Sequence, residues 1–321
     1  MASKPGGWES ASSKRHRISL MLEVYLGSGC SMAELHYAHR IGYSTIHNII
    51  TDVCSQIWSV LLSESMPKPS QETWLRICTE FEKYANFPNC IGAIDGKHIR
   101  IIKPSHSGSL YYNYKNYFSL VLLAVCDADY CFTYIDVGAY GKESDSNIFK
   151  NSHFYNLLEN NNLNIPEAST VEDLRGEIPY VFVADEAFSL SQQILRPYSG
   201  NQLTDKKKIF NYRLCRARRY IECTFGILAN KWRIFHKPLN VSIEFAEIIT
   251  RACCVLHNFV RKRDGNRSHE RYAIPNDKTG LENILLAENV LGGRTANKVR
   301  DAFASYFVSE KGALPWQHEK I

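Results

Sequence analysis

None of the ten cysteines, at 30, 54, 78, 90, 126, 131, 215, 223, 253 and 254, is spaced from another as C-x-x-C. That removes the common zinc-finger and thioredoxin-type motifs. Most of them sit in apolar periodic segments, as buried free thiols of a reducing compartment do. No apolar run approaches the roughly 18 residues that a membrane helix needs, so no membrane association is expected. The opening MASKPGGWESASSKRHR has no apolar core like that of a secretory signal, which predicts a chain that is not secreted. Internal repeats are lacking too, as are Cys or His clusters that would suit a soft metal. The composition is that of an ordinary soluble globular protein, 45% hydrophobic and 22% charged. At 321 residues it has room for one large domain with an appendage, or for two domains.

Net charge is only +5, yet the basic residues cluster. Residues 205–219, DKKKIFNYRLCRARR, set Lys206, Lys207, Lys208, Arg213, Arg216, Arg218 and Arg219 against Asp205. Phe210, Tyr212 and Tyr220 interleave with them, which suits a surface that tracks a nucleic-acid backbone. A solvated face is the plainer reading of such a block. A second cluster, 261-RKRDGNR-267, lies further on, and either could be read by a nuclear import receptor.

Residues 18–58 read as three short helices. Ile18 to Leu26 ends at Gly-Ser-Gly, and 31-SMAE-34 is a capping box opening a helix that stops at Gly42. Ile46, Ile50, Val53 and Ile57 then form an apolar stripe. This is the outline of a helix-turn-helix module, and a plain packing bundle fits as well. The third helix would expose Ser44, His47, Asn48 and Thr51, which include no Arg or Lys, so specific base reading has little support. The segment 67-PKPSQET-73 reads as a linker, and 74–87 resumes helical spacing. From Cys90 to about 141 the pattern is a meander of two or three strands with a turn at 127-DADY-130. Asp127 and Asp129 are expected to be solvated there. Ser146 to Leu158 reads as helix. The continuous apolar run 180-YVFVA-184 reads as a strand buried on both faces. Helices are expected over 213–233 and 243–263. His257 and Asn258 close the last of these, where a structural role is the plainer reading.

Three acids stand out by placement. Asp95 interrupts the apolar run 90-CIGAIDGKHIRI-101, where Asp95-Gly96 reads either as a hairpin turn or as a carboxylate directed out of a buried strand to hold a metal. Asp185 ends the apolar strand, where α/β sheets place ligands. Glu222 lies about 90° from the centre of the helical stripe Ile221, Phe225, Leu228 and Trp232, at the edge of its buried face. Each has a plain alternative: a turn, a strand-end cap, and an ion pair with Arg218 four residues earlier. A two-metal nuclease gathers such acids because one Mg²⁺ activates water while the other steadies the leaving oxygen.

These residues also carry a resemblance. CIGAIDGKHIRI, the DSNIF at 145–149, YVFVADEAF, RRYIECTFGILANKWRIF and CCVLHNF resemble, in order, the motifs of the PIF/Harbinger transposases and of nucleases domesticated from them. The likeness runs from about residue 18 to about 260. It implies an α/β, ribonuclease H-like mixed sheet flanked by helices, with a helical module at 1–66, a linker and helix at 67–89, the nuclease domain at 90–263 and an extension at 264–321. It also implies an Asp-Asp-Glu triad, here Asp95, Asp185 and Glu222, binding Mg²⁺ or Mn²⁺ as two ions. Glu186 departs from the small residue many relatives carry, and could compete for or assist the metal. Gly96 would let the substrate backbone approach, and Lys97 and His98 would offer positive charge. With Lys206, Lys207, Lys208, Arg216, Arg218 and Arg219 they form the expected DNA-binding set. Asp145 has a rival claim on the cluster, although an N-cap is the better reading for it. The implied partners are DNA and a separate Myb-like protein that aids nuclear import and terminal-repeat binding; self-association stays open. A nuclear location, with shuttling to the cytoplasm as an open alternative, follows from the same resemblance. Two rival functions share the fold: a non-cutting DNA- or chromatin-binding protein, and an RNA-directed ribonuclease.

Overall fold

The computed structural model describes residues 11–170, 177–264, 282–283 and 293–321. The end of the second basic cluster and much of the 264–321 extension lie outside the described residues. Three helices come first: α1 (Ala11–Ser28), α2 (Met32–His39) and α3 (Tyr43–Ser65). The capping box forms as the sequence suggests, with the Glu34 N–H donating to Ser31 Oγ at 3.1 Å and the Ser31 N–H donating to Glu34 Oε2. Helix α2 gives way at Arg40, which takes a left-handed backbone (φ 53°), so Gly42 begins α3 rather than ending α2. Within the expected linker, Ser70 caps α4 (Gln71–Ala85), its hydroxyl accepting the Thr73 N–H at 3.2 Å.

The sheet follows. β1 (Cys90–Arg100), β2 (Ser119–Cys126) and β3 (Phe132–Tyr140) form an antiparallel meander. No turn occurs at Asp95-Gly96, because β1 runs straight through them. Helices α5 (Asp145–Asn151) and α6 (His153–Glu159) come next, split at Ser152. A small ladder of β4 (Ser169–Thr170) and β5 (Glu177–Ile178) leads to β6 (Val181–Val183) and β7 (Ile194–Leu195). β6 pairs in parallel with β1, and β7 with β6, giving the order β3-β2-β1-β6-β7. This mixed five-stranded sheet is consistent with a ribonuclease H-like fold. The chain continues through α7 (Asp205–Lys231), α8 (Ile243–Arg263), the two-residue β8 (Glu282–Asn283), which pairs with β1, and α9 (Arg294–Tyr306).

Every residue of β2 is buried, as in a central strand covered on both faces. Helices α4 and α7 lie against β1, α8 against β3, and α3 runs along α8. One apolar core therefore continues from Met21 in α1 through Ile46, Ile50 and Cys54 in α3 into the sheet. Asn258 pins this junction: its amide donates to the carbonyls of Ser65 (2.9 Å) and Phe132 (2.7 Å), and its oxygen accepts the Phe132 N–H. His47, expected to be exposed, instead sets its ring edge-on to Phe245 of α8, with centroids 4.9 Å apart. Among the described residues no helix is long and apolar enough to cross a membrane.

Candidate active site

The expectation that Asp127 is solvated fails, because its carboxylate is buried and folds the β2–β3 turn. Its Oδ1 accepts the N–H groups of Asp129 at 2.9 Å and Cys131 at 2.8 Å. His257 has a structural role. Its Nε2 faces the Tyr130 carbonyl at 2.7 Å, and burial lowers its pKa to about 4.

The acids that gather are Asp95, Asp145 and Asp185. Each offers a carboxylate oxygen, and these atoms lie within 4.8 Å of one another. Asp95 is midway along β1, fully buried, with its Oδ1 accepting the Gly96 N–H at 3.0 Å and its Oδ2 without a hydrogen bond. Asp185 lies just past β6, its Oδ1 held by the Ala187 N–H at 2.8 Å. Because β1 and β6 are parallel and Ala93 pairs with Val183, the two acids stand level. Asp145 corrects the reading of that residue as an N-cap. Ser144 occupies the cap position, and Asp145 is the first helical residue. It points inward with Ile148 and Phe149, at the i, i+3, i+4 spacing of one helix face. That alignment with apolar neighbours was the sequence signal for a buried acid. Both of its oxygens are buried without a hydrogen-bond partner. Gly96 makes room for it: a Cβ there would overlap Asp145 Oδ1 and come within 2.9 Å of Cγ. The space expected for substrate at Gly96 is thus taken by a carboxylate.

Glu222 is not within this group. Arg218 joins the two, its Nη2 donating to Glu222 Oε1 while its Nη1 lies 3.8 Å from Asp95 Oδ2. The guanidinium is therefore the counterion of the acids from α7. Burial raises the Asp95 pKa to about 7, opposed by Arg218 and reinforced by Asp185. Burial, then Asp95 and Asp185, push Asp145 well above the carboxylate range, and burial raises Asp185 against the pull of Arg218.

The basic residues divide. Lys97 is buried, with Nζ 5.8 Å from the Phe225 ring centroid. His98 cannot supply the expected positive charge, because burial and the nearby lysines lower its pKa to about 3 and keep it neutral. Arg213, fully buried, donates to the carbonyls of Asn86 and Gly312 and to Gln317 Oε1. Arg216 donates to the Tyr84 carbonyl and lies 5.0 Å from the Trp316 ring centroid, while Lys206 donates to Ser305 Oγ at 2.7 Å. Lys207 sits over the Tyr198 ring at 5.1 Å, and Lys208 pairs with Asp205 at 3.2 Å. Much of the block thus docks the segment 293–321 onto α7. Sequence reasoning missed this, although Arg213 falls on the stripe of Ile209, Phe210, Leu214 and Ala217. Arg219 is exposed.

Carboxylate oxygens left buried without donors are costly, and a divalent cation removes that cost. Hard oxygen donors suit Mg²⁺ or Mn²⁺, so the three aspartates fit such an ion. An ion held by these residues would supply Lewis-acid activation of a water and charge stabilisation of a leaving oxygen, the chemistry that phosphoryl transfer uses.

Residues 94–258, just over half of the chain, match the family described as DDE superfamily endonuclease, and the chain belongs to that family. Among individual proteins, it is 29% identical over 239 residues to an Arabidopsis thaliana protein named Protein ALP1-like, which covers 73% of this chain and 58% of the relative. The Arabidopsis thaliana protein named antagonist of like heterochromatin protein 1 is 26% identical, covering 73% of this chain and 59% of that one. "Putative nuclease HARBI1" of Xenopus laevis is 25% identical over 58% of this chain and 50% of its own length. The chain thus spans little more than half the length of these curated relatives. No solved structure matches the chain.

Proposed function

We propose that the protein is a divalent-metal-dependent DNA endonuclease, a transposase or a nuclease derived from one, built on a ribonuclease H-like core. The observation that carries this reading is the buried Asp145 carboxylate, without a hydrogen bond and directed at Asp95 and Asp185. In this reading Asp95 and Asp185 hold the metal, Asp145 joins them, and Glu222 completes the set from α7. Two Mg²⁺ or Mn²⁺ ions are the expected load. Arg218 keeps Glu222 beside the aspartates and neutralises part of their charge. Arg219, which is exposed, adds positive charge for phosphates, with Lys206, Lys207 and Lys208 toward the start of α7. Arg216 supports this surface by holding the segment 293–321 in place, and Lys97 adds positive charge two residues along β1 from Asp95. Nuclear residence and a Myb-like partner belong to the same reading, as does the helix-turn-helix assignment of α1–α3.

A second reading, a DNA- or chromatin-binding protein that no longer cuts, draws on the name of the relative called antagonist of like heterochromatin protein 1. Incubation of the purified chain with supercoiled plasmid separates the two. The nuclease reading expects nicking with Mg²⁺ or Mn²⁺ and none with EDTA. Asp95→Asn, Asp185→Asn and Glu222→Gln should each lower nicking by orders of magnitude while DNA binding persists, because the acids act as one site. Retained nicking in Glu222→Gln would remove that residue from the site.

A further inference from the structure

The connection between β1 and β2 is 18 residues long, 101–118, in a place where hairpins usually take two to five. Connections of that length with no regular structure are usually functional. Its sequence, IIKPSHSGSLYYNYKNYF, contains four tyrosines, two lysines and no acid. Several of its large side chains face solvent: Ile102 (49% exposed), Leu110 (48%), Tyr112 (40%) and Tyr114 (44%).

The loop is nonetheless firmly built. The Ile101 N–H donates to the Phe118 carbonyl at 2.9 Å, and the Ser119 N–H to the Tyr111 carbonyl at 2.8 Å. Asn113 is buried and works as an internal clamp. Its Oδ1 accepts the N–H groups of Lys115 and Tyr117, and its Nδ2 donates to Ser119 Oγ, which in turn lies 2.8 Å from His98 Nδ1. The Lys142 N–H donates to the Leu110 carbonyl at 3.2 Å, tying the loop to the segment that ends at Asp145. The loop is therefore fixed at both sides to chain that carries site acids: β1 with Asp95, and the start of α5 with Asp145. The loop leaves the C-terminal end of β1 and Asp185 follows the C-terminal end of β6, which is parallel to β1, so both lie toward the same end of the sheet.

We propose that this loop is a binding platform for unpaired DNA bases at the same end of the sheet as Asp185, with Tyr112 and Tyr114 as stacking surfaces and Lys103 and Lys142 meeting the phosphates. Both rings are partly exposed; Tyr112 is set edge-on to Phe118, and the Tyr114 ring centroid lies 5.7 Å from Lys115 Nζ. Aromatic rings interleaved with lysines on a rigid support are what single-stranded nucleic acid needs, since every base has a face that stacks. Ordering the rings in advance lowers the entropy lost on binding. The platform favours DNA whose strands are opened or frayed next to the scissile bond. The inference rests on the nuclease reading above and extends it to the form of the substrate.

The test uses the full chain in EDTA, so that no cutting intervenes, and measures anisotropy with a fluorescein-labelled single-stranded 20-mer and the matching duplex. Tyr112→Ala/Tyr114→Ala should weaken single-strand binding about tenfold or more, and duplex binding much less. Tyr112→Phe/Tyr114→Phe should restore it, since the ring is what stacks. In the unaltered protein, an oligonucleotide carrying 5-iodouracil should photo-crosslink at Tyr112 or Tyr114, a readout that needs no variant. Equal loss for single strand and duplex, no loss at all, or crosslinks confined to other segments would each overturn the platform. A wild-type protein that binds neither DNA would overturn the nuclease reading as well, whereas DNA binding indifferent to the tyrosines overturns the platform alone.

Discussion

Removing metal and then titrating the protein should expose the cost of crowding aspartates in an apolar site. The Asp95 carboxyl moves from 3.8 to about 7 on folding, with burial as the main cause. Tenfold in proton affinity is about 1.4 kcal/mol, so a charged Asp95 costs the metal-free fold on the order of 4 kcal/mol. The direction is fixed by linkage. Below pH 3.8 the group is protonated both folded and unfolded, and nothing is lost. Between pH 3.8 and about 7 the unfolded chain gives up its proton while the folded one keeps it, so stability falls as pH rises. Above about 7 the loss is complete. Asp145 and Asp185 shift in the same direction and add to the fall. Asp127, also raised to about 7 but under the β2–β3 turn, contributes a fall that metal will not relieve. His98 and His257, held neutral by burial, act oppositely at lower pH. Urea unfolding of wild type and Asp95→Asn at pH 5 and pH 8, in EDTA, isolates the acid site, because Asp127 and the two histidines, which Asp95 does not shift, cancel in the difference. Only the part of the Asp95 window from pH 5 to about 7 is sampled, roughly two pH units, so wild type should lose about 3 kcal/mol more than the variant between the two pH values. Saturating Mg²⁺ should stabilise wild type most at pH 8, where it displaces no protons. Equal losses in the two proteins, or a Mg²⁺ effect independent of pH, would refute the reasoning.

Other outcomes follow from single contacts. Gly96→Ala drives a methyl into the Asp145 carboxylate, and should cost about 1–3 kcal/mol by overpacking and shrink the Mg²⁺-induced rise in Tm; an unchanged Tm would mean that Asp145 moves aside freely. Replacing Lys206, Lys207 and Lys208 together should flatten the salt dependence of DNA binding by at most about three phosphate equivalents, uniformly across sequences. Competition with Ser305, Tyr198 and Asp205 should keep the change below that ceiling. An unaltered slope would remove the lysines from the interface. Deleting residues 1–66 uncovers the face of α8 against which α3 packs, so the remainder should be insoluble. A soluble and cooperative fragment would show that α1–α3 form an independent module.

Asp95 and Asp185 were legible because strand patterning is strong: a charge inside or just beyond an apolar run has few places to go. The same logic made the capping box at Ser31 and helix α8 readable from residue spacing alone. Asp145 was hidden by a local rule, since an acid at a helix start is usually solvated, and that rule outweighed its alignment with the apolar Ile148 and Phe149 on one helix face. The basic block misled for a related reason. Charge along a sequence does not say which arginines point inward, and Arg213 and Arg216 are used by the segment 293–321, more than 75 residues away. His98 shows the limit for titration: its charge is set by burial, which no run of neighbours in the sequence announces.

The parallel pairing of β1 with β6 also governs when the site can come into being. The meander β1–β2–β3 closes through near neighbours, but Asp95 meets Asp185 only after a connection of some ninety residues has folded and crossed. Such long-range closure is slow and comes with the rest of the fold. A divalent ion then has nothing to grip in the nascent chain, so it cannot act as a template for folding. It should slow the opening of the finished molecule and leave the refolding rate nearly unchanged, so the ion locks the native state instead of guiding the chain toward it.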